Sequence, residues 1–294
     1  MRYYRIRDEV GNTHLTVEND PGILVSLTDL NEVVKGFEDL LKVHYIGGQP
    51  IDDVTRNILS QGNPRSFSLL DLENWSKDDS NKGRIIRPID PDEVWAGGIG
   101  NYSVPDELVE KMPDFTKKAY ENERPPIMYK GGSTRLVGPF DNIGIRSDTS
   151  TVAEGELVLV IYKGELVAYS TGNEVAGGLM GETIWWMVPS KVFKGCASLG
   201  PCIVTPESLT SPTDRSMDLT INRKGQVVGK SSNTTAHRRA PEDIIRWVTD
   251  HDSPPDLMVI YTGGCVADGP LEAGDLVKIS LEGIGSVENT VEIV

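Results

Sequence analysis

The sequence has few of the residues from which disulfide frameworks, zinc sites and histidine triads are built. Only three cysteines, none in CxxC spacing, and four histidines occur among 294 residues. An odd cysteine count without paired spacing offers neither a disulfide framework nor a zinc site, and it is typical of a reducing cytosol. No histidine shares a short motif with another potential ligand, which argues against a histidine triad. We therefore expect a cytoplasmic protein with another kind of chemical centre.

Long apolar runs and excess positive charge are also missing. No apolar segment approaches the roughly 20 residues that a membrane-spanning helix needs. The segment Met1–Arg7 has no apolar stretch behind its charges, so it does not resemble a signal peptide. With 44 acidic against 29 basic residues, the formal net charge is −15. Because nucleic acids and anionic membranes attract Lys- and Arg-rich surfaces, we expect neither as a partner.

The hydrophobic pattern changes along the chain and predicts two units. Residues 1–83 mix short strand-like and helical segments, with a helix predicted at Leu30–Val43 and a polar linker from Asn74 onwards. Residues 84–294 are rich in strands with glycine-rich turns, and a helix is predicted at Pro241–Asp250 because proline suits the first helical turn. We expect a mainly β, α+β fold with a small N-terminal α+β domain (1–83) and a larger catalytic domain (84–294).

The second unit contains a strongly apolar predicted hairpin. Its first strand, Glu156–Tyr162, is rich in β-branched residues, Lys163-Gly164 forms the turn, and Glu165–Ser170 returns. Further strands are predicted at Pro201–Thr205, Asp218–Asn222, Met258–Thr262 and Leu276–Leu281.

Three glutamates lie at the open end of this hairpin. Glu154 and Glu156 are two residues apart in extended chain, so their side chains project to the same side. Glu174 follows the return strand in a predicted turn, and the hairpin brings it back towards the other two. Like charges this close are unfavourable unless a cation neutralises them, and carboxylates suit Mg²⁺ or Mn²⁺. Without Glu174, the Glu-x-Glu pair is more typical of a solvated strand edge.

A lysine among apolar residues follows the glutamates. Lys191 lies in the segment Pro189–Pro201. Beside a metal and away from water, the ammonium form of a lysine is disfavoured, so Lys191 is predicted to transfer a proton near neutral pH. For Lys191 taken alone, a lysine whose stem covers the edge of the core is an equally good interpretation.

The ordered motifs resemble the fumarylacetoacetate hydrolase family over roughly residues 88–294. The resemblance rests on Glu154-x-Glu156-Leu157, Gly172-Asn173-Glu174-Val175, Lys191 with Leu199-Gly200-Pro201, Tyr261-Thr262-Gly263-Gly264, Gly274–Val277 and Glu282–Val291. It implies a mixed β-sandwich roll that binds Mg²⁺, or sometimes Mn²⁺ or Ca²⁺, through two glutamates and an aspartate. By this resemblance Glu154 and Glu156 are the glutamates, Glu174 replaces the aspartate, and Lys191 is the active-site lysine.

Departures from the hydrolase pattern indicate one branch of the family. Pro105 occupies the position of the histidine that activates water in hydrolase members. The remaining motifs are most similar to the 2-keto-3-deoxy-pentonate dehydratases of oxidative pentose breakdown. That branch typically has an acidic residue at the position of Pro126, so the second acid/base group stays open.

The resemblance implies Mg²⁺-dependent dehydration of 2-dehydro-3-deoxy-D-arabinonate, or its C4 epimer, to 2-oxoglutarate semialdehyde. Lys191 would transfer the C3 proton, and Lys130 or a metal-bound water would act as the acid. Arg146, Thr262 and Gly263 are the predicted contacts to this small 2-oxo sugar acid.

Other functions are compatible with the same residues. Hydrolysis of acylpyruvates or of 2,4-diketo-3-deoxy sugar acids, with C–C bond cleavage, would use the same metal enolate, as would a decarboxylase or an enol–keto isomerase. A catalytically inactive metal- or ligand-binding homologue is the alternative of another class. A homo-oligomer is expected in each case.

Overall fold

The computed structural model describes residues 1–78, 81–97, 110, 114–124, 126–178, 187–267 and 269–294. Within these ranges, strands dominate, as expected from the sequence. The strands are β1 (Arg2–Asp8), β2 (Thr13–Asp20), β3 (Ile23–Ser26), β4 (Ser66–Ser68), β5 (Gly83–Ile86), β6 (Glu93–Ala96), β7 (Met128–Gly131), β8 (Leu136–Val137), β9 (Ile143–Ile145), β10 (Thr151–Tyr162), β11 (Glu165–Gly177), β12 (Ala197–Val204), β13 (Ser216–Arg223), β14 (Gln226–Thr234), β15 (Leu257–Val266), β16 (Leu276–Leu281) and β17 (Gly285–Ile293). The helices are α1 (Leu27–Leu30), α2 (Phe37–Gly47), α3 (Ile51–Leu59), α4 (Leu69–Lys77), α5 (Asp114–Glu121), α6 (Met187–Lys191) and α7 (Pro241–Thr249), with a 3₁₀ helix at Ser133–Arg135.

The strands form two sheets that pack against each other. The larger sheet has the order β4-β3-β2-β1-β12-β11-β10-β15-β6-β7, with β5 paired to β1 and β8 to β12, and the smaller has the order β14-β13-β16-β17-β9. Leu159 and Ile161 of β10 belong to the core between the sheets, whereas Val158 and Val160 belong to a second core that includes residues of α1, α2 and α3. Because β10 lies between two apolar layers, it is apolar on both faces.

The first 83 residues share the larger sheet with the rest of the chain. β1 pairs antiparallel with β12 at Arg2↔Val204 and Tyr3↔Ile203 and also pairs with β5, which begins at Gly83. The predicted boundary at residue 83 therefore coincides with the start of a strand of this sheet. The division into domains 1–83 and 84–294 stays a prediction.

The helix predicted at Leu30–Val43 is wrong in its bounds. The side chain of Ser26 accepts a hydrogen bond from the Asp29 N–H and begins α1, which already ends at Leu30. The next helix begins only after Gly36, whose backbone is extended. Local capping thus divides one apolar periodicity into two helices, because each cap satisfies N–H groups that a continuous helix would use.

The linker predicted from Asn74 is wrong over its first residues. α4 continues to Lys77 and buries Leu72, and the side chain of Ser68 caps its start by accepting a hydrogen bond from the Asp71 N–H. The polar residues after Asn74 stay helical here because the apolar residues of the same helix, Leu69, Leu72 and Trp75, pack on the core.

The hairpin is confirmed and is longer than predicted. Lys163 and Gly164 have positive φ values of 51° and 83°, which suit the two-residue turn between β10 and β11. β11 continues to Gly177, so Glu174 lies in a strand and not in a turn. The strands β12, β13, β15 and β16 and the helix α7 overlap the other predicted elements. No helix among the described residues has the length and apolar character to span a membrane.

Candidate metal centre

The three glutamates meet on adjacent strands of the larger sheet. Glu154 and Glu174 are direct partners across β10 and β11, and Glu156 follows Glu154 by two residues on the same face. One carboxylate oxygen of each lies within 4.8 Å of the other two. Glu156 and Glu174 are buried and Glu154 is partly exposed. We call these three residues the glutamate cluster.

Two lysines converge on Glu174. The Nζ of Lys130, on β7, donates to Glu174 Oε1 and to the Val175 carbonyl oxygen at 3.0 Å. The Nζ of Lys191, the last residue of α6, donates to Glu174 Oε2 at 2.5 Å and to Glu154 Oε1 at 3.5 Å. Burial by itself would raise the pKa of Glu174, but the two ammonium groups outweigh burial and hold its pKa at about 2.

Glu156 has no ion pair with any residue that the structure describes. Its carboxylate is 2% exposed and accepts a hydrogen bond from the Gly263 N–H at 2.6 Å. Burial, and then the negative charges of Glu174 and Glu154, raise the pKa of Glu156 well above its usual range. Burial also raises the pKa of Glu154, partly against the attraction of Lys191. With all three carboxylates ionised, the cluster would carry more negative charge than its surroundings neutralise, so a proton or a cation has to compensate for the excess.

These donors fit a divalent cation. When all three carboxylates are ionised, the two lysines neutralise two of them, which leaves one uncompensated negative charge in a largely buried site. A divalent cation would reverse this charge to a single positive one, and the carboxylate of a bound acid would then neutralise it. The donor set is made of carboxylate oxygens alone, which Mg²⁺, Mn²⁺ and Ca²⁺ prefer.

The lowered pKa predicted for Lys191 applies to the site with a metal bound. Without a metal, burial lowers the pKa of Lys191, but Glu154 and Glu174 outweigh burial, so the pKa is raised. The expected lowering requires a cation that takes over these carboxylates as partners, because the ammonium then loses its counter-charges. The side chain is 14% exposed, so Lys191 is accessible from outside the cluster.

Several residues that shape the cluster were not predicted from the sequence. Asn173 accepts a hydrogen bond from the Glu154 N–H at 3.2 Å through its Oδ1 atom. The Tyr261 hydroxyl donates to the Ser198 carbonyl oxygen at 2.6 Å. A Cβ atom on Gly264 would lie 1.8 Å from the Gly155 carbonyl oxygen, so only glycine allows β15 to approach β10 here. The adjacent glycines of the Tyr261–Gly264 motif were the sequence signal that could have indicated this close approach.

The predicted substrate contacts differ in their placement. Gly263 lies beside the glutamate cluster, where its N–H donates to Glu156. Thr262 is buried and donates its hydroxyl to the Leu157 carbonyl oxygen at 3.0 Å, which fixes its rotamer. The bonds described for Arg146 go to Asp148 and to the Pro189 carbonyl oxygen. Pro105, at the position of the hydrolase histidine, lies outside the described residues.

Comparison with known proteins places this geometry in a family. Residues 99–292 match the sequence profile described as "Fumarylacetoacetate (FAA) hydrolase C-terminal". The chain belongs to the fumarylacetoacetate hydrolase family. The resemblance drawn from the motifs is therefore confirmed.

Relatives of this family member are similar over nearly their whole length. It is 31% identical over 303 residues to a probable 2-keto-3-deoxyxylonate dehydratase of Haloferax volcanii, and the match covers all of both chains. It is 34% identical over 283 residues to a 2-dehydro-3-deoxy-D-arabinonate dehydratase of Saccharolobus solfataricus, with 90% of this chain and 91% of the relative covered.

Solved structures confirm the expected fold of this family member. A 2-keto-3-deoxy-D-arabinonate dehydratase in its apo form matches with a TM-score of 0.79 and 26% identity, over 100% of this chain and 99% of the other. The same kind of dehydratase complexed with magnesium and 2,5-dioxopentanoate matches with a TM-score of 0.78 over the same shares, also at 26% identity. The predicted family fold, a mixed β-sandwich roll preceded by an N-terminal α+β segment, is thus confirmed.

Proposed function

We propose that this protein is a magnesium-dependent dehydratase that converts 2-dehydro-3-deoxy-D-arabinonate, or its C4 epimer, to 2-oxoglutarate semialdehyde. The observation that carries the proposal is the glutamate cluster with Lys191 Nζ beside it, at 2.5 Å from Glu174 and 3.5 Å from Glu154. The dehydratase names of two relatives over nearly their full length support the substrate class. A similar structure contains magnesium and 2,5-dioxopentanoate, another name for the semialdehyde.

The chain's own residues supply positions for the metal and for proton transfer. Glu154, Glu156 and Glu174 would hold Mg²⁺, which would polarise the 2-oxo group and acidify the C3 hydrogen. Lys191 Nζ is the partly exposed amine of the site and would accept the C3 proton. The C4 hydroxyl leaves with a proton as water. A proton shift from C5 to C3 then gives the C5 enol, which tautomerises to the aldehyde, so one water is lost overall.

Lys130 is better suited to positioning than to proton transfer. Its side chain is fully buried, and its ammonium is held by Glu174 and the Val175 carbonyl oxygen. It therefore fixes the carboxylate of Glu174 from the side away from solvent. The hydroxyl of Thr262 already donates to the Leu157 carbonyl oxygen. Arg146 lies at the surface and forms an ion pair with Asp148, two residues later in the chain. We retain Arg146, Thr262 and Gly263 as proposed substrate contacts.

Product analysis tests the reaction. The purified protein is incubated with Mg²⁺ and each C4 epimer of the 2-keto-3-deoxy-pentonate, and in parallel with acylpyruvates. Coupled enzymes detect the semialdehyde and pyruvate separately. We expect semialdehyde from a pentonate, and pyruvate from acylpyruvates without semialdehyde would instead establish a hydrolase. An absence of any product with retained Mg²⁺ affinity would indicate an inactive binding homologue.

A matched pair of variants tests the metal site. We expect Glu154→Ala to abolish Mg²⁺-dependent turnover while the circular dichroism spectrum stays unchanged. Glu165→Ala, an exposed glutamate at the turn of the same hairpin, is the control and should retain turnover. Full activity in excess EDTA would contradict the metal assignment.

The protein is further proposed to be a cytoplasmic homo-oligomer. Its three cysteines are unpaired and buried, as suits a reducing compartment. Near the end of α2, Val43, Tyr45 and Ile46 are exposed large hydrophobic residues, with Ile46 86% exposed. Light scattering of the purified protein measures the oligomeric state, and a monomeric mass would contradict this part of the proposal. Catalysis is assigned to residues 84–294, which contain the whole cluster.

A further inference from the structure

A polar cavity lies apart from the glutamate cluster, where β1, β5 and the loop after β8 meet. Its volume is about 360 Å³. Six charged side chains line it together with Ile86 and Gly138: Arg5, Arg7, Arg84, Arg87, Asp90 and Asp141. We call it the arginine cavity. None of its lining residues belongs to the proposed catalytic machinery.

The register of β1 and β5 explains why the arginines converge. Arg7 and Arg84 are direct partners across the two antiparallel strands, and Arg5 is opposite Ile86. Successive strand residues alternate between faces, so Arg5 and Arg7 share one face while Ile6 is fully buried on the other. Like charges directly opposite each other destabilise a strand pair unless a counter-charge lies between them. The pairing of Arg7 with Arg84 therefore calls for an anion.

The carboxylates of the cavity neutralise only half of its positive charge. Asp90 pairs with Arg5 at 2.5 Å and with Arg87, and Asp141 pairs with Arg84 at 2.5 Å. Four guanidinium groups against two carboxylates leave two uncompensated positive charges. This local excess occurs in a chain whose formal net charge is −15. A dianion would make the cavity neutral.

Three of the four guanidinium groups also have unused hydrogen-bond donors. Arg87 differs, because it donates to the main-chain oxygens of Ile89, Ser133 and Leu136 as well as to Asp90. In contrast, the Nε atoms of Arg5 and Arg84 are buried without a partner among the described residues. Arg7 is exposed and is absent from every hydrogen bond and ion pair described for this part of the chain.

We propose that the arginine cavity binds a phosphate dianion, either free phosphate or the phosphate group of a small metabolite. The planar donors of arginine match phosphate oxygens in bidentate geometry, and the two uncompensated positive charges match the charge of the dianion. Small-molecule sites commonly have volumes of about 300–1,000 Å³, so the cavity accommodates a phosphate with a small organic group. This inference is independent of the proposed dehydratase activity.

The test is calorimetric titration of the Mg²⁺-loaded protein with inorganic phosphate and, separately, with a pentose 5-phosphate, at constant ionic strength set with chloride. Arg7→Ala removes one cavity guanidinium without breaking any described bond. Arg56→Ala, on the exposed face of α3, removes the same charge elsewhere and is the matched control. Arg7→Lys keeps the charge but removes the planar donors.

We expect saturable binding, weakened about tenfold or more by Arg7→Ala and unchanged by Arg56→Ala, because a charge-assisted bond is lost only in the first. Arg7→Lys should recover part of the affinity. Tighter binding of the pentose phosphate would identify the site as one for a metabolite, and equal or weaker binding as one for free phosphate. The proposal is overturned if neither ligand binds beyond the chloride control, or if Arg7→Ala and Arg56→Ala have equal effects.

Discussion

Replacement of Glu156 by glutamine should change stability in opposite directions with and without metal. Two unit charges 4.8 Å apart, the outer limit for the cluster oxygens, repel by about 3.5 kcal/mol at an effective dielectric constant of about 20. Lys130 and Lys191 offset most of this repulsion, since they pair with Glu154 and Glu174. The amide also accepts the Gly263 N–H less strongly, which costs about 0.5–1.5 kcal/mol.

For the metal-free protein with Glu156 ionised, we therefore expect Glu156→Gln to raise the free energy of unfolding by at most about 1 kcal/mol, because the lysines offset most of the repulsion and the amide bond is weaker. With Mg²⁺ the order should reverse. A ligand at 100 times its Kd stabilises the native state by about 2.7 kcal/mol, and the variant loses a charged ligand and with it most of this gain. Urea unfolding of both proteins, in EDTA and in excess Mg²⁺, measures all four values.

The control is Asp275→Asn, which removes another buried carboxylate. Asp275 is fully buried, but it forms a bidentate ion pair with Arg223 at 2.7 and 2.8 Å. Its loss should destabilise the protein in EDTA and in Mg²⁺ alike, because it breaks a paired charge. If Glu156→Gln also destabilises the metal-free protein, or if its response to Mg²⁺ equals that of the unchanged protein, Glu156 is not an uncompensated metal ligand.

Three further predictions concern the glutamate cluster and the residues around it. Lys130→Met should lower the free energy of unfolding by about 3–5 kcal/mol in urea, because Glu174 loses a buried ammonium partner, whereas an effect below 1 kcal/mol would contradict that role. Glu174 has a pKa lowered from 4.5 to about 2, so its stabilisation of about 3 kcal/mol is present above pH 4.5 and lost as the pH falls through 2. Urea unfolding of metal-free Glu156→Gln at pH 6 and pH 3 should show about 2 kcal/mol of this fall. Gly264→Ala should abolish Mg²⁺ binding in calorimetry or prevent folding, because its Cβ would overlap the Gly155 carbonyl oxygen, and unchanged affinity would show that the strands can separate at no cost.

The residues of the hairpin contain enough local information to predict the glutamate cluster. Alternation of side chains with a period of two places Glu154 and Glu156 on one face, and a two-residue turn fixes the return of β11. Glu174 then lies opposite Glu154. The turn assigned to Glu174 was wrong because strand length depends on the neighbouring strands: β12 continues the ladder to Glu174, and β10 continues it to Gly177.

The helix bounds predicted from the sequence were wrong at places where single side-chain contacts set the ends of the helices. The apolar periodicity at Leu30–Val43 continues through residues that the structure divides between two helices. The Asp39 side chain accepts hydrogen bonds from the Lys35 and Gly36 N–H groups, so a new helix begins there. The polar residues after Asn74 remain helical because Leu72, on the same helix, is buried against the core. In both places the contact that sets the helix bounds is made by one side chain. Such a contact leaves the hydrophobic pattern of the sequence unchanged.

Tertiary structure alone decided which distant groups complete each site. Lys130 lies 44 residues from Glu174, and Gly263 lies 107 residues from Glu156, yet each donates directly to its partner. No spacing in the sequence encodes these pairs, because they depend on which strands become neighbours in the sheet. The same is true of Arg7 and Arg84, which face each other only because β5 pairs with β1. The sequence by itself determined the family, the strand alternation and the acidic cluster, while the order of strands determined the charges that surround it.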